Sequence, residues 1–169
     1  MSPFGIFHTT ISVLPIGFGL AAFIRDGRID LKTKLGKWYF GTMLAGSLSS
    51  FGFIPSKGFT PGQVLTLITL ALLATAVLTI RGQWRNAGYI QTISLSSSYL
   101  MLMVFTTTET LTRLPKGEPF ASGPNDPALL PVRLVLLALF ALGVGYQALK
   151  IRAANRENVA SSTGQLAIA

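Results

Sequence analysis

Five apolar runs, each close to the length of a membrane crossing, divide this chain at residues 4–24, 38–54, 63–80, 89–111 and 130–151. A hydrocarbon core about 30 Å thick takes roughly 20 helical residues to cross. The spacing therefore predicts an all-α fold, a polytopic transmembrane helical bundle over 1–152 with about five spans. The second and third runs are short, so a four-span variant arises if one of them re-enters or merges with a neighbour. Pro55, Gly58, Pro61 and Gly62 break the chain between two of the runs, and Pro115, Gly117, Pro119, Gly123, Pro124 and Pro127 between two others. Residues 153–169, rich in Ala and Ser without a sustained period, read as a polar C-terminal tail for which disorder is the default.

Composition narrows the function classes. Half of the residues are hydrophobic and 12% are charged, whereas soluble domains carry charge on roughly a quarter. The net charge of +8 would suit nucleic acid, but the Lys and Arg sit between apolar runs rather than along one helical face. Nucleic acid is accordingly not an expected partner, and membrane lipids are. Cysteine is absent, which removes disulfides, thiolate metal sites and Cys nucleophiles together. The first run lacks a preceding basic region and a small-residue cleavage site, and reads as a retained helix beginning after a true initiator Met1.

Orientation follows from the excess of Lys and Arg in cytoplasmic loops. An outside N-terminus puts Arg25, Arg28, Lys32, Lys34, Lys37, Arg81, Arg85, Lys150, Arg152 and Arg156 inside, ten of the 14, and leaves Lys57, Arg113, Lys116 and Arg133 outside. Five spans then bring the C-terminus to the cytoplasm. Trp38, Tyr39, Trp84 and Tyr89 fall where an inner aromatic belt would lie. Within the first basic loop, Arg25, Arg28, Lys32, Lys34 and Lys37 are candidates for contact with anionic lipid or an acidic partner.

His8, the only histidine, lies about a turn inside the outer end of the first span, and Glu109 lies at similar depth on the fourth. Ionisable groups at such depth are costly, which makes both candidates for ligand binding or proton relay. The structural alternative is an interfacial His bonded to a nearby oxygen and a carboxylate reaching interfacial water. A quinone headgroup or a single-ligand heme fits the functional alternative, although neither is required and the cofactor stays unknown. No catalytic residue and no metal site is expected, because neither residue alone supplies a ligand set and no Walker loop, dinucleotide fingerprint, HExxH or nucleophile elbow occurs.

Other features point to helix packing. Gln91, Ser94, Ser98 and Glu109 recur at helical spacing on the fourth span. Gly41, Ala45 and Ser49 fall every fourth residue on the second, as do Gly17 and Ala21 on the first, a spacing that favours close approach of membrane helices. Gly143 and Gly145 would admit a neighbouring helix, a lipid or a pigment, and Pro15 is expected to kink the first span.

Leu31-Lys32-Thr33-Lys34-Leu35-Gly36-Lys37-Trp38-Tyr39, after a first helix with an early His8 and before the small-residue helix of Gly41 to Ser50, resembles a family of bacterial predicted membrane proteins catalogued as a domain of unknown function. The resemblance covers the first third of the chain and implies a bacterial multi-span membrane protein of the inner membrane. Where that family has a histidine this chain carries Lys32, so the resemblance implies no shared heme or metal ligand. Together these readings predict a non-catalytic subunit or assembly factor of a larger inner-membrane complex, respiratory or photosynthetic, with protein partners. A small redox or proton-coupled protein using His8 and Glu109 is the alternative.

Overall fold

A computed structural model describes residues 2–82, 86–115 and 117–166. Every regular element among them is helical: α1 (Pro3–Asp26), α2 (Lys34–Ser50), a single-turn α3 (Ile54–Lys57) reached through a 3-10 turn at Phe51–Phe53, α4 (Pro61–Arg81), α5 (Ala87–Leu111) and α6 (Leu130–Leu166). Trp84, Arg85 and Lys116 lie outside the described residues.

Three stretches are long and apolar enough to cross a membrane: α1, α4, and Pro127–Arg156 within and just before α6. The other two helices differ for separate reasons. Helix α2 has 17 residues, a rise of about 25 Å, short of a full hydrocarbon core. Helix α5 has 25 residues and length to spare, but its Ser and Thr lower its apolar character. It touches α1, α4 and α6, so most of its polar side meets protein.

Local chemistry sets the ends. Ser2 caps α1 by accepting from the Gly5 N–H at 3.1 Å, and Pro3 occupies the first turn, where its missing donor costs nothing. Gly27 ends α1 at φ 73°, the left-handed conformation that glycine adopts freely. Thr33 caps α2 through the Gly36 N–H at 3.1 Å. Asp30 organises the loop between them, accepting from the Lys32 N–H at 2.9 Å and pairing with Arg28 at 2.6 Å. Its carbonyl lies so close to Gly36 that a Cβ there would sit 1.9 Å from it. Only glycine permits that approach. Before α6, Asp126 caps the turn at Pro127–Leu129. The backbone N–H groups of Ala128 and Ser122 and the Ser122 hydroxyl hold its carboxyl below the usual range.

The five long helices alternate in direction. One end of the bundle gathers Asp30 against Gly36, Gly27 against Lys150, and Gly88 against Ile151. The other gathers Phe4 against Gly52 and Gly62 against Phe105. Helix α1 packs on α2 and α4 on α5, with α2 joining α4, whereas α6 is laid mainly on α5.

At the centre, Tyr39 is fully buried and its hydroxyl bonds the Ser98 hydroxyl at 2.8 Å. Ser98 also donates to the Leu95 carbonyl at 2.8 Å. The Tyr99 ring lies over Gly19, where a Cβ would come within 2.5 Å, and its hydroxyl donates to the Ile16 carbonyl at 3.3 Å. Phe23 meets the Tyr99 ring edge-on at 5.1 Å. Of the two aromatic neighbours expected at the inner interface, Tyr39 is buried between helices, while Trp38 is exposed and stacks on Phe18.

The small-residue expectations divide. Gly46 meets Ser12 and Gly19 meets Tyr99, whereas Gly17 and Gly41 face outward with nothing near their Cβ positions. The close contacts therefore run two positions away on α1 and five on α2 from the glycines first singled out. Ala21, Ala45 and Ser49 are half-buried, and Gln91, Ser94 and Ser98 are buried. Over residues 153–166, where a polar tail is expected, α6 continues unbroken to Leu166. At 37 residues it rises about 55 Å, well beyond a hydrocarbon core.

The central pair makes an asymmetric prediction. Tyr39→Phe leaves Ser98 bonded to Leu95 and should cost about 1 kcal/mol or less. Ser98→Ala strands a buried phenol and should cost about 1–3 kcal/mol. Unfolding of both variants and of the double variant in mild detergent checks this, and equal losses for the two single changes would contradict it.

Candidate functional site

His8 and Glu109 occupy the end of the bundle that holds Phe4 and Phe105, and the fold gives them different partners. His8 Nδ1 lies 2.7 Å from Ser49 Oγ, and Phe53 meets the imidazole edge-on at 5.1 Å. Ser49 directs its own hydroxyl to the Gly46 carbonyl at 2.8 Å. With that proton committed, Ser49 accepts from the His8 Nδ1–H, and Nε2 is the ring nitrogen that Ser49 does not engage. Glu109 pairs with Arg113, which lies just past the end of α5, and both are substantially solvent-exposed. No hydrogen bond joins His8 to Glu109 among the described residues. An exposed pair of this kind contributes about 0–1 kcal/mol.

Among the described residues no group of three or more His, Asp or Glu side chains could hold a metal ion. Through Ser49, His8 bridges α1 and α2.

The basic loop separates into paired and unpaired members. Arg25 pairs with Asp26 at 2.8 Å and Arg28 with Asp30 at 2.6 Å. Lys32, Lys34 and Lys37 are exposed, and among the described residues none has a carboxylate partner.

A larger feature was not legible in the sequence. A cleft of about 330 Å³ opens where α6 lies against α5 and the end of α1, walled by Phe23, Tyr99, Met103, Leu136 and Phe140. The Ser96 hydroxyl donates to Gln147 Oε1 at 2.8 Å along it, so a buried cross-helix bond holding α6 to α5 also borders the cleft. Beyond Gln147 it meets a charged recess of about 360 Å³ bordered by Asp26, Arg28, Lys150 and Ala154. Spacing on α6 carries part of the signal, since Leu136, Phe140, Gly143, Gln147, Lys150 and Ala154 recur at helical intervals. Which helix that face meets is decided only by the tertiary contacts.

Comparison with protein families, with curated proteins and with solved structures finds no match to this chain.

If His8 serves packing alone, His8→Ala and Ser49→Ala should lower stability equally, by about 1 kcal/mol or less, and leave any bound chromophore unchanged. Melting temperature and absorption spectrum of the purified variants check this. A spectral loss confined to His8→Ala would identify Nε2 as a ligand.

Proposed function

We propose that the protein is a non-catalytic integral membrane subunit or assembly factor that joins a larger inner-membrane complex through α6. The observation that carries this reading is the outward face of that helix. Ala138, Ala141 and Gly145 are exposed at helical spacing, with nothing near the Gly145 Cβ position. Leu142 and Leu149 flank them at 72% and 67% exposure. Only 6% of the apolar window in this span is buried within the chain, against 28% for α4. Small residues four apart let membrane helices approach until backbones touch, and this chain presents them where its own helices are absent. Helix α6 itself continues to Leu166, well beyond the length that a hydrocarbon core needs.

The reading includes five spans, an outside N-terminus and a cytoplasmic C-terminus. Its support is the alternation of the helices together with the charge distribution. The end that holds Arg25, Arg28, Lys32, Lys34, Lys37, Arg81, Lys150 and Arg152 carries the basic excess. Quinone or heme binding at His8 and Glu109 has weaker support, because each already has a partner within one or two helices.

Two measurements test these statements. Because the chain has no cysteine, single replacements can be labelled with an impermeant thiol reagent. Asn125→Cys should react in intact cells, and Lys34→Cys and Arg152→Cys only after permeabilisation. Labelling of Arg152→Cys from outside, with Lys34→Cys still protected, would require an even number of spans. For the partner, the protein extracted in mild detergent should migrate in a large complex at fixed stoichiometry, and Gly145→Leu should release it while leaving it inserted. Migration of the wild-type protein as an isolated monomer would overturn the subunit reading.

A further inference from the structure

The apolar cleft and the charged recess share Gly27 and Gln147 and form one slot between α6 and the rest of the bundle. We propose that this slot holds an anionic phospholipid of the cytoplasmic leaflet, with one acyl chain against Leu136, Phe140 and Gly143 and its phosphate at Lys150. The inference rests on the membrane topology proposed above.

Chemistry changes along the slot in the order such a molecule requires. From Leu136 to Lys150 is 14 residues, a rise of about 21 Å, whereas one leaflet of hydrocarbon is about 15 Å thick. The walls are apolar as far as Gly143, whose Cβ position is empty. Ser96 and Gln147 follow at the depth of a lipid's ester groups, and the charged residues come last. This side of α6 is nearly opposite the small-residue face, at about 100° of rotation per residue, so a lipid and a protein partner would not compete.

Charge selects an anion. Asp26 is neutralised by Arg25 and Asp30 by Arg28. Lys150 has no carboxylate partner among the described residues; its ammonium lies over the Tyr146 ring at 5.3 Å and beside Gly27. Among the described residues the mouth therefore carries a net positive charge, facing a leaflet whose surface is anionic. A quinone fits less well, since the hydroxyls of Ser96 and Tyr99 already donate to Gln147 and to the Ile16 carbonyl.

The test reconstitutes the full chain in bilayers of equal phosphatidylglycerol and phosphatidylcholine, extracts it in mild detergent and measures retained lipid by native mass spectrometry. About one phosphatidylglycerol per chain should be retained in preference to phosphatidylcholine. Lys150→Gln should reduce that retention about fivefold, and Gly143→Leu should reduce it by filling the apolar half. Lys34→Gln, an exposed cation outside the slot, should leave it unchanged. Equal retention of the two lipids, or equal effects of Lys150→Gln and Lys34→Gln, would overturn the proposal while leaving the membrane reading intact. Retention of a quinone in place of phospholipid would overturn it as well. Release of the chain from membranes by alkaline carbonate would overturn both.

Discussion

The bond between Tyr39 and Ser98 joins α2 to α5 at the middle of the bundle, and the surrounding packing is arranged about it. In lipid, apolar side chains gain little by leaving hydrocarbon for one another, so helices associate through close van der Waals contact and polar bonds. Tyr39 supplies both. Its ring fills the space between α1, α2 and α5 with no exposure, and its hydroxyl finds a partner that is itself bonded to the α5 backbone. Tyr99 extends the contact to α1, where Gly19 leaves room for its ring.

This centre explains why α5 can be so rich in hydroxyls within so apolar a chain. A helix surrounded by others need not match lipid, and its Ser and Thr return their protons to carbonyls of the preceding turn, as Ser98, Thr107 and Thr112 do. Bonds at both ends of the bundle fix its register. Asp30, Gly36 and Thr33 lock the α1 to α2 turn at one end. His8 with Ser49, and Ser50 with Thr66, tie α1, α2 and α4 at the other. These contacts use the groups that would otherwise be the best candidates for chemistry.

Helix α6 stands apart from that arrangement. It is attached through α5, with Ser96 and Gln147 as a buried bond. One side borders the amphipathic slot and the opposite side presents small residues outward. The division of labour proposed for the molecule follows from this asymmetry: a closed body of α1, α2, α4 and α5, and an outer helix with two usable faces.

Much of the architecture was legible in the sequence because a long apolar run has few alternatives to a helix. The limits of α1, α4 and α5 fall within about three residues of the apolar runs, as caps such as Ser2 and Gly27 allow. Buried positions on α5 were also legible, since Gln91, Ser94 and Ser98 share one face. The composition and the order of apolar and basic segments thus determined by themselves an all-helical chain with the length and apolarity for membrane spans. Only the tertiary structure decided which glycines meet another helix, that Tyr39 is buried between helices, that His8 turns to Ser49 and Glu109 to Arg113, and that α6 borders a slot. The physical reason is that a helical pattern defines faces relative to one another, whereas the neighbour of each face is set by side chains from distant segments of the chain.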